Sequence, residues 1–419
     1  MRRDVYKGYL HTGFRPDPDE YVLVDFIYEA AEKENAAQAI AAESSVGTWT
    51  HLATMKKRIS EHLAAKVYKF DPKKGAISVA YPLEIFEPSN IPQFLSDVAG
   101  NIFGMKEVET IRLLDFSIPK KYAKGFKGPA LGMDGVRKMM GTAKSRRPHL
   151  GTIVKPKIGL SPKENAQVAY DSWVGGCDFV KDDENLSSQR FCPFDERIVR
   201  TLDAKDKAES ETGEKKMYAP NITAETNEMI RRADFVKKHG GNCIMVDIVT
   251  AGFAALQTVR DANTGLPIHA HRAMYAAFAR SPKHGMAMLP LARLSRLVGV
   301  DQLHTGAIVG KMEAPKEEVL EINREMVRSW LGLKPVFPVA SGGIDPTRVP
   351  RLLDIAGTDI VINAGGGIHG HPKGTKAGAM AMRQAFEAWE TGATMEEYAK
   401  GHRELREALA KWGKFRSPA

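Results

Sequence analysis

At 419 residues, with 43% apolar and 26% charged side chains, the chain fits a small domain followed by a barrel or doubly wound domain of about 250 residues. No run approaches the roughly 18 apolar residues of a membrane span and the N-terminus lacks a secretory apolar stretch, so a cytoplasmic protein without a membrane partner is expected; its three cysteines (Cys177, Cys192, Cys243) form neither a disulfide framework nor a zinc spacing. The net charge of +9 is spread along the chain and carries no aromatic-basic RNA motif, which excludes a nucleic-acid partner but suits a small polyanionic substrate.

Residues 1–130 read as an N-terminal α+β domain. Tyr21–Tyr28 alternates as a strand and Asn35–Glu43 is Ala-rich and helical. Lys66–Asp71 and Ala76–Ala80 flank a Pro-Lys-Lys-Gly turn, a hairpin signal. A helix near Ile91–Val98 and a strand near Thr110–Ile118 complete a ferredoxin-like pattern.

In residues 131–419 short apolar strands alternate with amphipathic helices. The eight strand candidates are Gly151–Lys155, Asp178–Lys181, Lys216–Pro220, Cys243–Asp247, Leu266–Ala270, Gln302–His304, Val336–Ala340 and Asp359–Asn363. Eight β/α units in about 250 residues predict a TIM (β/α)8 barrel. Each strand starts apolar and ends in a polar group: Lys155 and Lys157, Lys181 with Asp183 and Glu184, Asn221, Asp247, His269 to Arg272, His304, Ser341, and Gly365 to Gly367. Barrel active sites are built at the C-terminal ends of the strands, so this placement predicts an enzyme.

Five segments carry the chemistry. Asp183 and Glu184 at one strand end suit a hard cation such as Mg2+; Lys181 as an ammonium cannot ligate it and could equally be their ion-pair partner. Lys155 and Lys157, two apart, are expected on one face of a strand, where neighbouring cations suit them to acid/base work. His269, His271 and Arg272 stand together, and arginine offers a planar fork for phosphate oxygens. Gln302–Glu313 runs into a glycine-bordered loop with Lys311 at its tip, a form able to close over substrate. The clusters Ala340–Gly343 and Ala364–Gly367 expose backbone amides suited to phosphate, and two anion sites on one rim imply a bisphosphate.

The segment Gly175–Asn185, with Gly-x-Asp-Phe-x-Lys-x-Asp-Glu inside it, resembles the metal-binding strand of RuBisCO large chains, and the other segments follow in that family's order from about residue 20 to 410. The resemblance implies carboxylation, and competing oxygenation, of ribulose-1,5-bisphosphate, a lyase reaction with CO2 and O2 as co-substrates. Activator CO2 would convert Lys181 to a carbamate that holds Mg2+ with Asp183 and Glu184. It gives Lys155 proton transfer in enolisation and final protonation, with Lys157 beside it. His271 takes a place by the sugar hydroxyls, Arg272 one phosphate, and His304 a phosphate and reaction-centre contact. Lys311 contacts the incoming CO2, and Ser341, Gly343, Gly365 and Gly366 match the phosphate clusters. Ala42–Thr50 resembles the segment that reaches a neighbouring subunit's site, with Glu43 toward Lys311 and Thr48 and Trp49 near a phosphate; Asn101 would hold substrate oxygens. The chain departs at Tyr275, commonly histidine, and at Val46, usually threonine.

The resemblance is nearest the archaeal-type, form III enzymes and implies a homodimer with shared active sites, possibly a higher oligomer, and no small subunit. A RuBisCO-like sugar-phosphate enolase or isomerase is the alternative. Glu43, Asn101, Lys311 and Ser341 argue against it.

Overall fold

The computed structural model describes residues 5–309 and 315–413. It divides into two compact units, Met1–Lys127 with Met274–Val298, and Gly128–Ala273 with Gly299–Ala419.

In the first unit, strand β1 (Tyr21–Glu29) pairs antiparallel with β3 (Ala76–Pro82) and β4 (Thr110–Ser117), and β3 pairs with β2 (Lys66–Asp71). With helices α1 (Lys33–Glu43) and α2 (Ile91–Val98) in the crossovers, the order β4-β1-β3-β2 is that of a ferredoxin-like sheet. Strand β10 (Gly285–Met286), from the later segment, adds in parallel at the β4 edge. Alternate residues of β1 are buried, so Val22, Val24, Phe26 and Tyr28 form its core face. Phe86, Phe94, Phe116 and Tyr122 extend that core through edge and stacked ring contacts.

The second unit is the barrel. Strands β5 (His149–Ile153), β6 (Phe179–Lys181), β7 (Met217–Ala219), β8 (Ile244–Asp247), β9 (Ile268–His271), β11 (Gln302–His304), β12 (Phe337–Ser341) and β13 (Val361–Asn363) run parallel in the order β7-β6-β5-β13-β12-β11-β9-β8. A bridge between Asn221 and Met245 joins the β7 side to β8 and brings the ring round. The interior is apolar at its lower end: Phe179, Met217, Cys243, Met245, Phe337, Val339 and Val361 pack with Met133, Val136 and Met140 from the helix Gly132–Met139 and its end. The outer helices have local stop and start signals, such as the Ser161/Glu164 capping box with Pro162 opening Pro162–Val174, and the left-handed Gly213 ending Phe194–Thr212. Among the described residues no helix is long and apolar enough to cross a membrane.

One strand expectation fails. β5 stops at Ile153, so Lys155 and Lys157 lie in the loop beyond it and do not share a strand face. Pro156 has no N–H for the ladder and restricts the residue before it, which ends the pairing early.

The barrel base is tied by buried charge. Asp178 accepts two bonds from Arg147, both 2.7 Å, and one from the Leu150 amide at 2.9 Å. Burial pushes its carboxyl up, but Arg147 and Arg383 outweigh that and hold it below the ordinary carboxylate range. A depressed carboxylate stabilises the fold above its unfolded pKa of about 4 and loses that contribution as pH falls toward its folded value. We therefore expect Asp178→Asn to cost about 3–5 kcal/mol at neutral pH, as for a broken buried pair. Urea unfolding at pH 7 and at pH 3 checks this: the difference between the two proteins should narrow at the lower pH.

Candidate active site

The site grows from the end of β6, where four consecutive residues do different work. Lys181, the last strand residue, is fully buried, and its Nζ donates to the Asp182 carbonyl at 2.7 Å. Burial drives its pKa down more strongly than Glu184, Asp247, Asp183 and Asp182 hold it up, so the neutral amine is favoured relative to a free lysine.

Asp182 turns away from the mouth. It accepts from Arg197 Nε at 3.1 Å, Tyr218 Oη at 2.7 Å and the Asn221 amide at 3.0 Å, all within the barrel wall. Arg197 and Asp182 are both fully buried, so this is an anchor and not a ligand set. Asn221, a strand-end polar residue, belongs to the same anchor: its side-chain amide donates to the carbonyls of Glu184 and Leu186.

Asp183 and Glu184 turn toward the lysines. Lys155 Nζ donates to Asp183 Oδ2 at 2.6 Å. Glu184 meets Lys157 at 3.8 Å, Lys181 at 3.9 Å and His271 Nε2 at 3.8 Å. Burial raises the Glu184 carboxyl, but His271 first and then Lys181 outweigh it, and its pKa falls below the ordinary value. His271 is held from behind, its Nδ1 2.7 Å from Asp247 Oδ1, in register across β8 and β9. Among the described residues no group of three or more His, Cys, Asp or Glu side chains converges to hold a metal ion. Asp183 and Glu184 are the two carboxylates of this cluster that face the lysines, with the Lys181 amine 3.9 Å from Glu184.

Across the mouth runs a chain of hydrogen bonds: Gln302 Oε1 to His269 Nδ1 at 2.7 Å, His269 Nε2 to His304 Nε2 at 2.8 Å, and His304 Nδ1 to Ser341 Oγ at 2.8 Å. Burial first, then neighbouring positive charge, holds both histidines well below the usual imidazole pKa, so both are neutral. Arg272 lies over the strand-end loop: a Cβ on Gly306 would come within 3.1 Å of its guanidinium.

Two glycine turns finish the rim. Gly342 and Gly343 after β12 have φ of +109° and +73°, the left-handed region that side chains avoid. Gly365 and Gly366 follow β13, and a Cβ on Gly365 would lie 3.2 Å from Lys155 Cε, so a side chain there would crowd the Lys155–Asp183 pair. In the first unit, Glu43, Trp49 and Asn101 line a separate cleft of about 730 Å3 with Tyr6, Lys106 and Glu107. Trp49 is 69% exposed in it, unusual for so large an apolar side chain, and Thr48 is half-buried beside it in the chain. Tyr275 opens the short helix Tyr275–Ala279 of that unit, and Lys311 lies outside the described residues.

The structure thus gathers Lys155, Lys157, Lys181, Asp183, Glu184 and His271 into one charged cluster, with His304 and Ser341 in the adjoining chain. Three contributors were missing from the candidate set. Asp247 was visible as a strand-end carboxylate. Gln302 stands two residues before His304, so strand periodicity puts both inside the barrel. The Asp182–Arg197 anchor has no sequence signal, since Arg197 comes from the following helix.

A parallel barrel with lysines, carboxylates and histidines at its strand C-termini defines a (β/α)8 enzyme. The profile of the ribulose bisphosphate carboxylase large chain, catalytic domain, matches residues 132–412, and that of its N-terminal domain matches residues 8–122. Ribulose bisphosphate carboxylase of Methanocaldococcus jannaschii is 48% identical, covering 96% of this chain and 99% of the relative. That of Pyrococcus abyssi is 45% identical, covering 99% and 98%. The octameric Rubisco of Pyrococcus horikoshii superposes with a TM-score of 0.94 at 44% identity over 98% of each chain. The dimeric archaeal Rubisco of Hyperthermus butylicus gives 0.91 at 43%, over 98% of this chain and all of that one. The chain belongs to the ribulose bisphosphate carboxylase large-chain family, and to its archaeal type.

The anchor can be tested without turnover. Tyr218→Phe removes one of three bonds to the buried Asp182 carboxylate, and we expect a loss of about 1–3 kcal/mol in unfolding free energy, measured in guanidinium.

Proposed function

We propose that the chain carboxylates ribulose-1,5-bisphosphate to two molecules of 3-phosphoglycerate, with oxygenation competing. The observation that carries the reading is the buried Lys181 amine beside Asp183 and Glu184, where a cation has two anionic donors and requires a third. Full-length likeness to chains named ribulose bisphosphate carboxylase supports it.

Lys181 Nζ, as the free amine, attacks CO2. A C–N bond forms, one C=O electron pair moves to oxygen, and a proton leaves nitrogen, so a neutral amine becomes a carbamate anion. The donor set then fits Mg2+, a hard ion that prefers oxygen: the Lys181 carbamate, Asp183 and Glu184. When bound, Mg2+ supplies positive charge that stabilises the enediolate drawn from the substrate. To hold the ion, Asp183 would give up its bond from Lys155, and Lys155 Nζ, once unpaired and deprotonated, would be the group placed to take a proton in enolisation and return it to the final carbanion. Lys157 stays beside Glu184, and His271, steadied by Asp247, orients the sugar hydroxyls.

Arg272 and the amides of Gly343, Gly365 and Gly366 take phosphates, while His304 and Ser341 contact the substrate between them. Lys311 meets the incoming CO2. Glu43, Thr48, Trp49 and Asn101 serve a second copy's barrel, so that each site of a homodimer needs two chains; the exposed Trp49 cleft supports this.

Incubation with ribulose-1,5-bisphosphate, Mg2+ and labelled bicarbonate should yield acid-stable 3-phosphoglycerate. Lys181→Ala should abolish it, and CO2-dependent activation surviving in that variant sinks the carbamate assignment. Arg272→Ala should weaken bisphosphate binding by about 2–4 kcal/mol, the cost of a lost charge-assisted contact; unchanged affinity removes it from the phosphate site.

Shared sites are tested by complementation. Glu43→Gln and Lys181→Ala chains, each inactive alone, should regain about half the activity in a doubly tagged heterodimer, where one site carries both lesions and the other neither. No recovery in a confirmed heterodimer assigns the first unit's cleft to its own chain.

A further inference from the structure

Gln302 and His269 are buried in the barrel interior and touch no open surface, yet they end the hydrogen-bond chain that reaches Ser341. We propose that they are positioning residues: together they lock His304 in its Nε2–H tautomer and turn the Ser341 proton inward, so that Ser341 Oγ offers only lone pairs to the barrel mouth.

The direction of every bond follows from the buried end. The Gln302 amide nitrogen faces Met217 Sδ at 3.6 Å, and a thioether can only accept. The amide is therefore oriented with its nitrogen on sulfur and its oxygen on His269 Nδ1 at 2.7 Å. An amide oxygen cannot donate, so His269 Nδ1 carries a hydrogen. A neutral imidazole has one, which leaves His269 Nε2 as an acceptor. His304 Nε2, 2.8 Å away, must donate to it, and His304 Nδ1 is then an acceptor. Among the described residues, the donor that meets His304 Nδ1 is the Ser341 hydroxyl, at 2.8 Å. Four groups thus donate in one direction, from rim to interior.

The reverse arrangement would set the His269 Nδ1 lone pair against the Gln302 oxygen. It would also make Ser341 a donor outward, which suits a phosphate or carbonyl oxygen. The observed direction suits a substrate group that itself donates: a hydroxyl. Ser341 is then a selector for a sugar hydroxyl and not part of the phosphate cradle. This use of the lock rests on the function proposed above; the lock itself does not.

Neutron diffraction from crystals of the deuterated full-length protein reads the lock directly. Deuterons are expected on His269 Nδ1, His304 Nε2 and on Ser341 Oγ pointing at His304. A deuteron on His304 Nδ1 in the unaltered protein overturns the lock. Gln302→Leu removes the acceptor that sets the direction, and its map should show His304 Nδ1 deuterated. Its kcat should fall at least tenfold while KM for ribulose-1,5-bisphosphate moves less than threefold. Reversed deuterons with unchanged kcat overturn the lock's use in catalysis. An unaltered protein without turnover overturns the carboxylase reading, and the deuteron map still decides whether the lock exists.

Discussion

Lys181 is an amine with no exposure to water, surrounded by four carboxylates, and most of the barrel mouth can be understood as the means of keeping it there. An isolated buried ammonium is costly, and a buried lysine answers by losing its proton more readily. Here burial outweighs four neighbouring negative charges, because those charges are already engaged. Asp182 is taken by Arg197 and Tyr218, Asp183 by Lys155, Asp247 by His271, and Glu184 also faces Lys157 and His271. Each partner weakens a carboxylate's hold on Lys181. The amine is poised by the surroundings of its neighbours as much as by its own.

The same arrangement explains why Lys-Asp-Asp-Glu must be contiguous. The chain leaves β6 at Lys181, and the next residue, Asp182, is pulled into the wall by a buried arginine, a tyrosine and a backbone amide. With that residue pinned, Asp183 and Glu184 emerge on the mouth side at fixed positions, and Asn221 holds the Glu184 carbonyl. A carboxylate buried in the wall thus fixes where the next two emerge. A buried ion pair contributes little net stability, but breaking one side is expensive, which makes Asp182 a strict positional constraint.

Much of this was legible in the sequence. Each of the eight barrel strands overlaps its expected segment, because short β-branched runs between amphipathic helices leave few other readings, and the strand-end polar residues converge as the fold class requires. The β5 boundary was misplaced, since an apolar run into Lys-Pro-Lys does not reveal where pairing stops. The membership of Met274–Val298 in the first unit was also hidden: strand β10 is only two residues long, and its partner β4 lies more than a hundred residues upstream. Local pattern does not encode pairing at that separation.

Hydrogen-bond direction was the least legible property, and it bears most on chemistry. His269, His304 and Ser341 could be named from their strand ends, but a histidine's name does not say which nitrogen donates. That is settled by Gln302, whose own orientation is settled by a methionine sulfur from the opposite wall. The barrel makes this possible because its lower interior is apolar and tightly filled, so one polar side chain rooted there has few alternatives. Neutral histidines are required for such a chain, since an imidazolium would present two donors and break the sequence at His269 or His304. Burial keeps both neutral, while His271, only two residues from His269, faces Asp247 and Glu184. One strand face thus supplies two histidines with different partners: His269 meets Gln302 and His304 inside the barrel, and His271, two residues nearer the strand's end, meets Asp247 and Glu184.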